Sequence, residues 1–84
     1  MYNIRFDSSA EKFIDKAQRE LAKRILDRIE ELASDPFPRQ ATKVLGQTDV
    51  YRVRVGKYRI LYAVFREKSL IVITDIDNRG RVYE

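Results

Sequence analysis

Three arginines in the second half of the chain have the type and spacing to bind a phosphate. Arg52 and Arg54 alternate with valines, and Arg59 follows the next turn signal. The planar guanidinium donates two parallel hydrogen bonds to a phosphate, a geometry that the lysine ammonium does not offer. The pattern therefore favours a phosphate-bearing ligand, provided that the fold brings the three side chains together.

The distribution of charge supports the same interpretation. The formal net charge is +4, but residues 1–35 hold 7 basic and 8 acidic side chains, whereas residues 36–84 hold 10 and 5. The positive excess thus lies in the half that contains the three arginines, and it points to a partner such as nucleic acid. Solubility alone also explains a modest net charge, so composition leaves both possibilities open.

The composition excludes several other kinds of site. The 84 residues include no cysteine and no histidine, which removes thiolate chemistry, the commonest metal ligand and the commonest general base. Asp75 and Asp77 lie at the end of one predicted strand, and two carboxylates alone are more typical of strand-end caps or arginine partners than of a metal site. We therefore expect no metal and no cofactor.

Length and hydropathy predict a single domain that spans residues 1–84. A chain this short has room for one core, and its site should be an open groove. No apolar run approaches the ~20 residues that cross a bilayer, and the N-terminus lacks the apolar stretch of a signal peptide. We expect a cytoplasmic protein without a membrane partner.

The first half of the chain has the pattern of a strand followed by helices. Tyr2–Phe6 alternates, and Ser8 with Glu11 forms a capping-box signal that places a helix start near Ser8. Apolar residues then keep helical spacing until Asp35, which precedes a proline. One continuous helix of ~37 Å would be too long for a chain with an expected radius of gyration of ~12 Å. We therefore predict a break near Gln18 and two helices.

The second half has the two-residue period of strands. A connector over residues 35–49 leads into Val50–Phe65, where Gly56-Lys57 matches the glycine-first signal of a type II′ hairpin turn. Ser69–Ile76 is nearly all apolar, which predicts a central strand. We expect Val44 and Leu45 of the connector to reach the core.

The register of the hairpin would bring the three arginines together. If Val55 pairs with Tyr58 across the turn, Arg54 lies opposite Arg59 and Arg52 projects from the same face. The other face should pack on the helices through Tyr51, Val53, Val55, Tyr58, Ile60, Tyr62 and Val64. Like charges placed opposite each other cost up to ~1 kcal/mol, which favours an anionic ligand between them. The alternative is that the long side chains spread into water and protect the sheet from aggregation.

These features together resemble those of a known protein family. The run Y-R-V-R-V-G-K-Y-R-I-L-Y follows a helical pair and a D-P connector, and a strand and an N-R-G-R-V-Y tail come after it. This arrangement is similar to the RelE/ParE toxin superfamily of toxin–antitoxin systems over almost the whole chain, most specifically in the hairpin. The resemblance implies an α+β fold, in which two N-terminal helices pack on one face of a small antiparallel sheet and a basic groove lies on the other.

The resemblance also implies which residues act in the site. The family pattern has basic residues on the first hairpin strand, an arginine after the turn, and an arginine and a tyrosine near the C-terminus. We assign to catalysis Arg59, Arg79 and Tyr83, and to RNA or ribosome binding Arg52, Arg54, Lys57 and Arg81. Arg81 could instead be solvated or pair with Glu84. Some members have lysines on the first hairpin strand and many have histidine where Asn78 stands, and this chain has neither.

The RelE-type members cut mRNA in the ribosomal A site, and the assigned residues suit that reaction. Without a metal, the 2′-hydroxyl attacks the adjacent phosphorus, and Arg59 would stabilise the charge on the phosphate oxygens. Tyr83 would act as the base or as a stacking platform, and Arg79 would protonate the leaving group. Since arginine is a poor base, substrate positioning by the ribosome must contribute more.

The resemblance therefore predicts the toxin of a type II toxin–antitoxin system, acting as a ribosome-dependent mRNA endonuclease. Its partners would be a RelB-like antitoxin, mRNA, and the ribosomal A site with its 16S-type rRNA. Two alternatives stay open. A ParE-type member would inhibit DNA gyrase without any chemistry, and a catalytically inactive homologue, which the missing lysines and histidine make tenable, would only bind RNA.

Overall fold

Two helices pack on one face of a five-stranded sheet in the computed structural model, which describes residues 1–78. The elements are β1 (Asn3–Phe6), α1 (Ser8–Lys16), α2 (Arg19–Ser34), β2 (Thr42–Lys43), β3 (Val50–Val55), β4 (Tyr58–Phe65), a 3-10 turn (Arg66–Lys68) and β5 (Leu70–Asn78). The strand order is β1-β5-β4-β3-β2, with β1 parallel to β5 and the other neighbours antiparallel. The predicted α+β fold is confirmed, and the parallel β1 makes the sheet mixed.

The two helices lie where the sequence predicts them, although the cap differs. α1 begins at Ser8, but its N-cap is Asp7, whose side chain makes no capping hydrogen bond, so the predicted capping box of Ser8 and Glu11 is wrong. Ala17 and Gln18 are extended, with ψ of 151° and 152°, and separate α1 from α2. The break keeps the fold small, with a Cα radius of gyration of 12.1 Å. Within residues 1–78, neither helix has the length and apolarity to cross a membrane.

The β3–β4 hairpin has the predicted register. Val55 pairs with Tyr58 and Arg54 with Arg59. Of the two turn residues only Gly56 has a positive φ, 59°, as the first central position of a type II′ turn requires. The turn therefore fixes which side chains share each face of the sheet.

The core lies between the helices and the predicted apolar face of the sheet. Ile25, Ile29 and Leu32 of α2 follow helical spacing, and each is at most 2% exposed. The strands contribute Val53, Val55, Ile60, Tyr62, Val64, Ile71, Ile73 and Ile76. Leu45 is 92% exposed, so its predicted core position is wrong. The Val44 N–H donates to the Val50 carbonyl at 2.8 Å and closes a loop that carries Leu45 into solvent.

Tyr62 ties the connector to the middle of the sheet. Its side chain is fully buried, and its hydroxyl donates to the carbonyl of Pro36 at 2.8 Å. Its ring stacks on Tyr51 with centroids 5.9 Å apart. Burial raises the pKa of Tyr62 above its ordinary value of 10.0, an effect that the nearby charge of Arg28 only partly offsets. The folded state therefore holds this hydroxyl in its neutral form.

The raised pKa of Tyr62 predicts that the free energy of unfolding declines at alkaline pH. Because its pKa is raised in the folded state, its contribution is fully present below about pH 10 and declines as the pH rises through the raised pKa. Tyr62→Phe should lower the free energy of unfolding at neutral pH by about 1–2 kcal/mol, since the Pro36 carbonyl loses its donor. The variant should also show a shallower alkaline decline. Urea unfolding at several pH values measures both effects, with Tyr2→Phe as the control, and an alkaline slope equal to that of the unsubstituted protein would contradict them.

Candidate phosphate-binding site

The face of the sheet that points away from the helices carries the predicted basic cluster. Side chains alternate along a strand, so Arg59 projects opposite to the buried Ile60. Arg54 lies directly across from Arg59 on β3, and Arg52 follows on the same face. The structure thus brings together the three residues, Arg52, Arg54 and Arg59, that we call the arginine cluster.

Arg59 is far less accessible than an open groove would make it. It is only 4% exposed, whereas Arg54 is exposed and Arg52 is half-buried. The alternative in which the arginines spread into water is therefore wrong for Arg59. A guanidinium held in a low-dielectric environment interacts more strongly with an anion and needs little reorganisation when the anion arrives.

Arg59 also has a carboxylate neighbour that the hairpin alone did not predict. On its β5 side, Arg59 is directly opposite Asp77 in the antiparallel register. The position of Asp77 fits its interpretation as an arginine partner, and it balances the like charge that Arg54 brings from β3. Arg59 is therefore flanked by one cation and one anion on neighbouring strands.

Asp75 has a structural role instead. A register shift opposite Leu61 and Tyr62 interrupts the β4–β5 ladder, and the Oδ1 of Asp75 accepts a hydrogen bond from the Ser9 hydroxyl at 2.9 Å. This bond ties the first turn of α1 to β5. Within residues 1–78, no three acidic side chains converge as metal ligands would, and the absence of a metal stays a prediction.

The remaining predicted residues lie at the same end of the sheet or beyond the described chain. Lys57 is exposed in the hairpin turn. Asn78, the last described residue, pairs with Tyr58, next to Arg59. Three predicted site residues lie outside the described residues, and their roles stay predictions: Arg79, Arg81 and Tyr83.

Sequence reasoning missed the apolar character of the rest of this face. Beyond the arginine cluster, the apolar side chains on this face of β4 and β5 are Leu61, Ala63, Phe65, Leu70 and Val72, which we call the apolar half. Phe65 is 45% exposed and the other four are partly exposed. The sequence could have predicted the β4 residues, because every second residue after Arg59 lies on the same face of the strand. Exposed apolar patches of this kind mark surfaces that partners cover.

Comparisons with known proteins agree on one group of toxins. A family model described as the ParE toxin of the type II toxin–antitoxin system parDE matches residues 4–83. A Methanocaldococcus jannaschii protein named as toxin RelE1 is 34% identical over 65 residues, which cover 74% of this chain and 72% of that protein.

Solved structures show the same fold. The archaeal RelE–RelB complex of Pyrococcus horikoshii OT3 contains a chain with a TM-score of 0.80 and 27% identity, covering 95% of this chain and 97% of that one. The RelB–RelE complex of Methanococcus jannaschii contains a chain with a TM-score of 0.75 and 25% sequence identity, and the match covers 95% of both chains. The isolated RelE toxin of E. coli has a TM-score of 0.84 and 24% sequence identity, and the match covers 99% of this chain and 92% of that one. At this identity the likeness supports the fold alone.

Proposed function

We propose that this chain, which belongs to the ParE/RelE family of toxins, is a ribosome-dependent mRNA endonuclease. The observation that carries the proposal is Arg59, a buried guanidinium placed between Arg54 and Asp77 on the face away from the helices. Such a fixed cation suits a reaction in which negative charge grows on a phosphate. A toxin that acts only by docking on another protein would not need such a fixed cation.

The proposed reaction uses the RNA itself as the nucleophile. The 2′-hydroxyl attacks the adjacent phosphorus, the bond to the leaving 5′-oxygen breaks, and a 2′,3′-cyclic phosphate forms. Arg54 is exposed and meets the phosphate first, and Arg59 then stabilises the charge on its non-bridging oxygens. Tyr83 removes the proton from the 2′-hydroxyl, and Arg79 donates a proton to the leaving oxygen.

Dependence on the ribosome follows from this modest acid–base equipment. Arginine and tyrosine are weak proton-transfer groups at neutral pH compared with histidine, which the chain does not contain. A larger share of the rate must then come from holding the 2′-hydroxyl in line with the scissile bond. An ordered mRNA in the ribosomal A site supplies that geometry, so activity on free RNA should be low.

We also propose a RelB-like antitoxin as the partner that silences the toxin. Relatives from two archaea were crystallised as RelE–RelB complexes. The face described above offers two kinds of contact to one amphipathic chain, since carboxylates can pair with the arginine cluster while apolar side chains cover the apolar half. Such a chain would cover the proposed site directly.

Inhibition of DNA gyrase is the second candidate, because the matching family model describes a ParE toxin. One comparison separates the two. The purified protein should cut mRNA in a translating extract and leave gyrase supercoiling unchanged. Loss of supercoiling with intact mRNA would establish the ParE-type activity instead, and no effect in either assay would favour a catalytically inactive RNA-binding homologue.

A further inference from the structure

A basic groove lies at the β2 edge of the sheet, beside the arginine cluster. It has a volume of about 580 Å³, and its walls come from the helix layer, the connector and the sheet: Arg28, Gln40, Thr42, Arg52 and Arg54. Among residues 1–78, no acidic side chain lines it. Arg52 and Arg54 also belong to the arginine cluster, so the groove continues directly from the proposed catalytic face.

The groove exists because β2 is very short. β2 pairs only Thr42 with Arg52 and Lys43 with Tyr51, so it does not extend along β3 toward the hairpin turn. Arg28 reaches this edge from α2, on the opposite side of the sheet from the arginine cluster. The gap therefore lets a helix residue and two strand residues face the same space.

Arg28 is held in place rather than free in solvent. Its side chain is 20% exposed, and its Nη1 lies 2.6 Å from the Oε1 of Glu31. The guanidinium has five N–H donors, and this ion pair uses one nitrogen. A side chain restrained in this way loses little entropy when it binds a second anion.

We propose that this groove binds a phosphodiester of RNA beside the one that is cut. This inference rests on the proposed function and extends the path of the RNA substrate across the sheet. Thr42 lies two strand spacings across the sheet and two residues along it from Arg59, roughly 12 Å away, so a chain crossing the sheet from Arg59 would reach the edge after about two nucleotides. Arg28 and Arg52 provide forked donors for the phosphate, and Gln40 and Thr42 provide neutral donors for its remaining oxygens.

Two opposite substitutions test the groove against a purely structural role for the Arg28–Glu31 ion pair. The probe is a short single-stranded oligouridine with 2′-deoxy sugars, which cannot be cut by the proposed reaction. Arg28→Gln should weaken its binding about tenfold, and the slope of log Kd against log salt should fall by about 0.7. Glu31→Gln should strengthen binding, because it releases Arg28 for the phosphate.

Arg19→Gln and Glu20→Gln are the matched controls, since they change the same charges at the exposed start of α2. Both should alter binding by less than about twofold. The proposal would be overturned if the control substitutions changed binding as much as the groove substitutions. It would also be overturned if both Arg28→Gln and Glu31→Gln weakened binding. A loss confined to the binding of an oligoglutamate peptide would assign the groove to an acidic protein segment instead.

The same variants separate this inference from the proposed function. If Arg28→Gln leaves oligouridine binding unchanged while the unsubstituted protein cuts mRNA on ribosomes, the groove proposal fails and the endonuclease proposal stands. If no mRNA is cut but the Arg28 and Glu31 effects are observed, the groove binds RNA in a protein without that activity. Binding to isolated ribosomes, measured beside the oligouridine, distinguishes a phosphate of rRNA from one of mRNA.

Discussion

Arg59→Ala should reduce mRNA cleavage in a translating extract by about 10²–10³-fold, the range for removing one preorganised donor from a developing oxyanion. The loss should appear in the cleavage rate more than in ribosome binding, because Arg54 and Arg52 remain to hold the RNA. Arg59→Lys should recover only part of the activity, since the ammonium keeps the charge but loses the forked geometry. Quantified primer extension on the mRNA measures each rate.

The controls for Arg59 address folding and general charge. Arg5→Ala removes an exposed arginine from β1 and should change the rate by less than about twofold. Removing Arg59 relieves the like-charge pair with Arg54, but it also removes a buried side chain and leaves Asp77 without the cation opposite it, so the free energy of unfolding should fall by about 1–3 kcal/mol. A folded Arg59→Ala protein with undiminished cleavage would reject the assigned role, and an unfolded one would reject the charge balance described here.

Tyr83 should show an effect at least as large as that of Arg59, and two substitutions define what it does. Tyr83→Phe keeps the aromatic ring and removes the hydroxyl, whereas Tyr83→Ala removes both. If Tyr83 is the general base, both variants should lose about 10²–10⁴-fold in cleavage. Tyr2→Phe serves as the control for losing a tyrosine hydroxyl. A loss in Tyr83→Ala alone would make the residue a stacking platform, and full activity in both would remove it from the site.

The hairpin was predictable from the sequence because its signals are local. Gly56 sets the turn, the turn sets the register, and the register places Arg54 opposite Arg59. The break at Gln18 was also predictable, since chain length limits how long a helix the core can accept. In both cases one physical constraint, the turn geometry or the chain length, allowed only one arrangement of the backbone.

Other features depend on contacts between distant parts of the chain. Asp77 reaches Arg59 only through the β4–β5 pairing, whose register shift no local pattern announces. The burial of Arg59, which lies on the sheet face away from both helices, likewise follows from no local pattern. The groove around Arg28 requires a helix residue to meet a strand edge that β2 leaves uncovered, and neither a helical nor a strand period carries that information.

The chemistry of the cut ends provides the most direct measurement of the proposed activity. We expect mRNA recovered from translating ribosomes after addition of the purified protein to end in a 2′,3′-cyclic phosphate, with a 5′-hydroxyl on the downstream fragment. The same mRNA without ribosomes should remain largely intact. Fragments that carry a 3′-hydroxyl and a 5′-phosphate, or cleavage that proceeds equally well without ribosomes, would contradict attack by the 2′-hydroxyl on a substrate that the ribosome positions.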